Sequence, residues 1–246
     1  MRPTSQIYSN YTPEDFLVWK TLFNRQMAIL RPVVSEEYLS AIETVKFCES
    51  KIPDFKEVDA ILLPLTGWSL EVVPNICPQK EFFEFLSKRK FTATCWLRTM
   101  QQLDYLEEPD MFHDVFGHVP LLSNKAYCDF FRGISNIALE FIDNPQAIEL
   151  LSRIYWFTIE FGMMREPNGL KIYGAGIISS NSETLHSLEK HTRMKDFDVQ
   201  TCLNTSYRTD ILQEQYFVID SFDQLYHSLN EIKSCLTRLL DIAENA

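Results

Sequence analysis

Glu108-Pro109-Asp110-Met111-Phe112-His113-Asp114-Val115-Phe116-Gly117-His118-Val119-Pro120 carries two of the chain's five histidines, five residues apart. Imidazole is the commonest protein metal ligand. Residues four apart share a face of an α-helix, whereas residues five apart diverge. The spacing therefore differs from the H-E-x-x-H pattern of zinc proteases. For His113 and His118 to meet one ion, the stretch predicts a short helix from about Asp110 to Phe116. Asp110 caps it, Gly117 closes it in a left-handed conformation and Pro120 prevents its resumption. Two histidines in a hydrogen-bonded loop would be the plainer alternative. Even as a metal site the pair is incomplete, and spacing alone does not choose a third ligand.

The composition narrows the class of protein. The 246 residues are 46% apolar and 23% charged, which suits a globular domain with a full core. A net charge of −11 lacks the basic footprint of a nucleic-acid or anionic-membrane binder. No apolar run reaches membrane-spanning length, and Met1-Arg2-Pro3-Thr4-Ser5-Gln6 shows no signal-peptide core. The six cysteines, Cys48, Cys77, Cys95, Cys128, Cys202 and Cys235, form no C-x-x-C pair, so free thiols in a cytoplasmic protein are expected. Eighteen Phe, ten Tyr and four Trp supply core and could also line a pocket for a flat ring.

Local signals divide the chain mainly into helices. Thr12-Pro13-Glu14-Asp15 opens one, with Phe16, Trp19, Leu22, Phe23 and Met27 at helical spacing. Ser35-Glu36-Glu37 opens a second, with Leu39, Ile42, Val45 and Phe47 as its stripe, broken at Pro53-Asp54-Phe55. A third covers Gln79 to Ser87. Asn144-Pro145 starts a long helix expected to run to about Met164, before the turn Glu166-Pro167-Asn168-Gly169. Leu170–Tyr173 and Gln215–Ile219 read as strands. Ser221-Phe222-Asp223-Gln224 is a capping box, and the last helix carries Leu225, Leu229, Ile232, Leu236, Leu239 and Leu240. That stripe fits either core or a partner surface. The expected architecture is one mainly helical domain over residues 1–246 with a few short β-strands.

Glu160 stands among Tyr155, Trp156, Phe157, Ile159 and Phe161. A carboxylate buried there needs a cation. A salt bridge to Arg153 or Arg165, or an outward-facing position, would be the simpler account; a metal is the other. Two histidines and one carboxylate make a facial triad of the kind that holds non-haem iron(II), and zinc hydrolases use a similar set.

The run Asp104-Tyr105-Leu106 through Glu108-Pro109-Asp110, Phe112-His113-Asp114 and Phe116-Gly117-His118, followed by Pro120-Leu121-Leu122, resembles the pterin-dependent aromatic amino acid hydroxylases. It is most similar to their bacterial phenylalanine-hydroxylating branch. Tyr155–Gly162, Tyr173-Gly174-Ala175-Gly176-Ile177-Ile178-Ser179-Ser180, Thr66-Gly67-Trp68 and Tyr216–Phe222 fit the same family. The similarity extends from about Tyr11 to Phe222.

The resemblance implies the family's catalytic-domain fold, with His113, His118 and Glu160 as iron ligands and catalytic centre. It assigns Arg98 to the substrate carboxylate, and Trp156 and Ser179 to the amino-acid pocket. Phe82 would stack on the pterin, Asn75 and Cys77 would meet its edge, and Asp114 and Tyr155 would lie near it. For Phe82 core packing is the alternative, and for Arg98 a surface ion pair. The implied reaction hydroxylates L-phenylalanine to L-tyrosine, with iron(II) and a tetrahydropterin activating dioxygen. A sister activity on tryptophan or tyrosine, or a catalytically silent helical binding protein, would keep the same fold.

Three positions depart from the wider family. Leu106-Glu107 replaces the Thr-Pro of animal members, Asp114 replaces a longer glutamate, and Asn75 stands where many relatives have glycine. A chain of this length has no room for the animal regulatory domain. The resemblance thus implies a minimal catalytic unit, monomeric and cytoplasmic, with phenylalanine, dioxygen and pterin as its partners and neither nucleic acid nor membrane.

Overall fold

The computed structural model describes residues 2–104 and 106–244. Tyr105 of the family motif, Met1 and residues 245–246 lie outside them. The helices are α1 (Pro13–Leu30), α2 (Glu36–Thr44), α3 (Phe55–Thr66), α4 (Gln79–Ser87), α5 (Lys125–Glu140), α6 (Pro145–Tyr155), α7 (Ala175–Ser179), α8 (Asn181–Ser187), α9 (Val199–Leu203), α10 (Phe222–His227) and α11 (Leu229–Glu244). The strands are β1 (Ser69–Val72), β2 (Lys90–Ala93), β3 (Gly162–Glu166), β4 (Gly169–Ile172), β5 (Arg193–Asp196) and β6 (Gln215–Ile219). β1 and β2 form a parallel pair, and the second sheet runs β4-β3-β6-β5. One continuous apolar core extends from Val18 on α1 to Leu240 on α11.

The helix starts follow their caps. Thr12 accepts the Asp15 N–H while Asp15 accepts the Thr12 N–H, which closes a capping box at α1. Ser35, Asn144 and Ser221 cap α2, α6 and α10 through their side chains. Ser221 forms half of the expected box, because the Gln224 side chain reaches the Asp220 N–H instead.

Several ends differ from the sequence expectation. α2 stops at Thr44, because Lys46 takes a left-handed φ of 59°. Phe47 therefore leaves the helix, and Tyr38 and Ala41 join Ile42 on its buried face. Pro53-Asp54-Phe55 does not simply break a helix: Asp54 caps α3, which tolerates Pro64 in its last turn. α5 also went unread, although Asn124 caps it and Tyr127, Phe130, Phe131, Ile134 and Ile137 are buried along it. The long helix from Asn144 does not reach Met164. It ends at Tyr155, widens into a π-turn over Trp156–Glu160, and yields to β3. The C-terminal stripe is core rather than a partner surface. Leu225, Ile232, Leu236 and Leu240 are buried, with the helix interrupted at Ser228.

The opening stretch is the largest correction. Phe112–His118 is a π-helix, so the helix does not end between the histidines but widens across them. Gly117 is not left-handed, since the positive-φ glycines among the described residues are Gly67 and Gly169. Its small size serves close packing instead. A Cβ there would come within 3.0 Å of the Ala175 carbonyl oxygen and 3.2 Å of its Cβ on α7. Pro120 has no N–H to offer the Phe116 carbonyl, four residues back. The buried Tyr38 hydroxyl donates to that carbonyl at 2.7 Å.

Gly174 plays the corresponding part beneath Glu160. A Cβ at Gly174 would lie 2.5 Å from the Glu160 carbonyl oxygen and 2.5 Å from the Gly162 nitrogen. Both are backbone atoms and cannot swing away. Gly174→Ala is expected to destabilise the fold by about 1–3 kcal/mol, the usual range for overpacking. A lowered urea midpoint with unchanged slope would show it, and wild-type stability would contradict the packing account.

Candidate metal centre and adjoining pocket

The two π-turns and α7 bring three side chains to one point. His118 Nε2 lies 3.1 Å from Glu160 Oε1, and His113 Nε2 lies 3.8 Å from Glu160 Oε2. The histidine rings sit edge to face with centroids 5.2 Å apart. One ligand atom from each residue falls within 4.8 Å of the others. The expected arginine partners are engaged elsewhere: Arg153 with Glu149, and Arg165 with Asp196 and Asp220.

The tautomer of His113 follows from its neighbour. Ser179 Oγ is 2.8 Å from His113 Nδ1 and 2.8 Å from the Ala175 carbonyl. A carbonyl only accepts, so the hydroxyl proton goes to Ala175 and the Ser179 oxygen accepts from His113 Nδ1–H. In the neutral ring His113 Nε2 is then a bare lone pair facing the Glu160 carboxylate. His118 Nδ1 is buried with no partner among the described residues. Its Nε2 points at the same carboxylate.

The His113 lone pair, the His118 ring and the Glu160 carboxylate converge on one point and suit a shared cation. Two imidazoles and a carboxylate match the facial donor set of non-haem iron(II). The residues present therefore fit an iron ion.

Electrostatics agree. Burial alone raises the pKa of the Glu160 carboxyl, but the His118 ring, then His113 and a hydrogen bond from Tyr155, bring it down to about 2. Glu160 is thus ionised across the physiological range. Asp114 goes the other way, because burial raises its pKa against the pull of His113 and Thr94. One Asp114 oxygen, Oδ2, accepts both the Thr94 N–H and its hydroxyl at 2.8 Å.

The triad forms the floor of a cavity of about 270 Å³. Asn75, Cys77, Phe82, Asp114 and Tyr155 all line it together with His113, His118 and Glu160. Phe82 is partly buried, packs against the core in a T-shaped contact with Tyr155 at 5.9 Å, and lines the cavity. Asn75 does not use a positive φ. Its side chain accepts from Arg2 at 2.9 Å and donates to Glu108 at 3.3 Å, while Arg2 stacks over Trp96 and pairs with Glu108. The 75–77 loop is thereby tied to the segment before the first π-turn. Sequence reasoning missed the neighbouring Thr94, Phe91 and Gln79.

Arg98, Trp156 and Ser179 do not line this cavity; they stand beside the triad. Arg98 is no surface ion pair. Its Nε and Nη2 grip both oxygens of Asp110 at 2.9 and 2.8 Å, with side chains 10% and 0% exposed. Asp110 also accepts the His113 backbone N–H at 3.3 Å, so it both caps the turn and anchors the arginine. Only its capping role was legible beforehand. The other guanidinium edge, Nη1 and Nη2, makes one long contact of 3.5 Å, from Nη1 to the Leu103 carbonyl. Trp156 opens the π-turn that ends in Glu160. Its ring stacks on Tyr207 at 4.4 Å, and its Nε1–H donates to Gln213 at 2.8 Å. Neither Tyr207 nor Gln213 carried a signal in the sequence.

Comparisons with known proteins agree with this geometry. The family described as biopterin-dependent aromatic amino acid hydroxylase matches residues 3–246. A phenylalanine-4-hydroxylase of Ralstonia nicotianae is 43% identical over 217 residues, covering 88% of this chain and 69% of the relative. That of Chromobacterium violaceum is 41% identical over 227 residues, 90% of this chain and 74% of the relative. A crystal structure of the latter enzyme, with bound iron(III) and 7,8-dihydrobiopterin, superposes with a TM-score of 0.90 at 39% identity, covering 98% of this chain and 86% of that one.

Removing Asp110 should expose how much the Arg98 pair holds. Asp110→Ala leaves a guanidinium buried without a counter-ion and is expected to cost about 3–5 kcal/mol. Denaturant unfolding measures this, and a loss below about 1 kcal/mol would place the pair among ordinary surface bridges.

Proposed function

This chain belongs to the biopterin-dependent aromatic amino acid hydroxylases, and we propose that within them it hydroxylates L-phenylalanine to L-tyrosine with dioxygen and a tetrahydropterin. The observation that carries the reading is the convergence of His113, His118 and Glu160 at the floor of a cavity walled by Phe82 and Tyr155. Iron(II) held by those three residues would, with the pterin, supply the activation of dioxygen that ring hydroxylation requires.

The remaining steps belong to the chain's own residues. Ser179 keeps the proton on His113 Nδ1, so Nε2 stays available as a ligand. Glu160 stays ionised and adds negative charge to the metal centre. Phe82 offers a flat apolar surface to a pterin ring, and the 75–77 loop offers polar groups to its edge. Asp114, fixed by Thr94 through one oxygen, keeps the other for a ligand in the cavity. The open edge of Arg98 would take the amino-acid carboxylate, with Asp110 holding the guanidinium in plane. Trp156, braced by Tyr207 and Gln213, would wall the ring of the substrate. Six unpaired thiols support a reducing, cytoplasmic setting, and the internal burial of the C-terminal stripe supports a monomeric, single catalytic domain.

Purified protein given iron(II), a tetrahydropterin, dioxygen and phenylalanine should form tyrosine, faster than it hydroxylates tryptophan or tyrosine. Absence of pterin-dependent tyrosine would overturn the proposal, and preference for another amino acid would reassign the substrate. His113→Ala and Glu160→Ala should each abolish stoichiometric iron binding and turnover while leaving the far-UV circular dichroism unchanged. Either variant retaining full iron would remove that residue from the ligand set.

Phe82→Ala should raise the pterin KM by roughly tenfold, the value of one aromatic stacking contact of about 1.4 kcal/mol, and leave the phenylalanine KM in place. Parallel changes in both constants would instead assign Phe82 to core packing.

A further inference from the structure

Three residues outside the cavity form a second cluster of ligand-type side chains. His186 lies on the last turn of α8, and Glu189 and His191 lie on the turns between α8 and β5. His186 Nδ1 and His191 Nε2 stand 3.1 and 3.0 Å from the same oxygen, Glu189 Oε2. One ligand atom from each of the three falls within 4.8 Å of the others.

A fourth group decides the protonation of His186. Its Nε2 is 3.1 Å from the backbone carbonyl of Gln213. A carbonyl only accepts, so Nε2 carries the proton. In the neutral ring Nδ1 is then a bare lone pair, and it faces a carboxylate oxygen at hydrogen-bond distance. That separation is held either by a second ring proton or by a cation shared between the two acceptors. His191 brings a second imidazole to the same oxygen.

The distances suit a shared ion. Two donors on one zinc, each about 2.0–2.1 Å from it at tetrahedral angles, stand about 3.3 Å apart. The backbone already shapes the turn. Glu189 N–H donates to the His186 carbonyl at 3.1 Å, Thr192 N–H to the Glu189 carbonyl at 3.1 Å, and the Thr192 hydroxyl to the His186 carbonyl at 2.8 Å. Little chain ordering is left for ligand binding to impose.

We propose that His186, Glu189 and His191 form a second metal site, separate from the triad, which takes zinc(II) with water completing its coordination. Two imidazoles and one carboxylate favour a borderline ion over magnesium or calcium, which prefer all-oxygen sites. His191 is 78% exposed at its side chain, so the ion is open to solvent and exchangeable. The site also leans on the substrate side of the protein. The residue whose carbonyl orients His186 is Gln213, and the Gln213 side chain accepts the Trp156 Nε1–H. A bound ion would fix His186 and so brace the segment that positions Trp156.

The test is equilibrium dialysis of the metal-stripped full chain against zinc chloride alone. The wild type should bind one equivalent more than His191→Ala and one more than Glu189→Gln, at unchanged circular dichroism. His191 and Glu189 are the most exposed members of the cluster, so neither change touches the core. Equal zinc stoichiometry in wild type and both variants would overturn the site and leave the cluster as an imidazolium–carboxylate contact. The difference in stoichiometry does not depend on how many ions the triad binds, so this result and the hydroxylase reading stand or fall separately.

Discussion

Residues five apart sit about 140° apart on an α-helix. That angle is the constraint around which the site is built. The chain meets it by widening the helix: with i→i+5 hydrogen bonding, His113 and His118 return to one side after a single turn. The same device recurs at Trp156–Glu160, where the Phe161 N–H reaches back five residues to the Trp156 carbonyl at 2.9 Å. All three ligand-type side chains therefore project from widened turns. α7 packs closely on the turns: a Cβ on Gly117 would be tight against Ala175, and one on Gly174, just before α7, would have no space against the Glu160 carbonyl.

A wide turn is a poor helix on its own, and the surroundings hold it. Tyr38 takes the carbonyl that Pro120 leaves unserved, and Asp110 ties the front of the turn to Arg98. Burial adds to this, since Phe112, Val115 and Phe116 are fully enclosed and Phe112 stacks on Phe116 with centroids 4.6 Å apart. Polar anchoring and aromatic packing thus act on the same few residues.

Much of this was legible from the sequence, and the gaps have physical causes. Helix starts were readable at Thr12, Ser35, Asn144 and Ser221, because a cap is a local contact between residues three apart. Glu160 was readable as a misplaced charge, because its neighbours in sequence are also its neighbours in space. The family motifs carried the assignment of the site residues, and the structure gathers His113, His118, Glu160, Asn75, Cys77, Phe82, Asp114 and Tyr155 into one pocket while Arg98, Trp156 and Ser179 stay outside its lining. The nature of the turn was not readable: five-residue spacing is met equally by a helix that stops and by one that widens, and Gly117 suits both. The Arg98–Asp110 pair and the Trp156–Gln213 bond were hidden because their partners are 12 and 57 residues apart. β1 and β2 have four residues each, too short for a clear alternation.

Pro120 has a consequence for the way a ligand arrives. If the turn relaxed to the tighter α-register, the Phe116 carbonyl would look to residue 120 for a donor and find a ring nitrogen without hydrogen. The four-residue bond to Phe116 is thereby closed off, with or without an occupant between the histidines, while the Val119 N–H still reaches the Val115 carbonyl at 3.2 Å. The ordering entropy of that turn is lost when the chain folds, not when a cation enters. Uptake should then proceed as diffusion into a rigid cup, with the apoprotein and the loaded protein sharing one backbone.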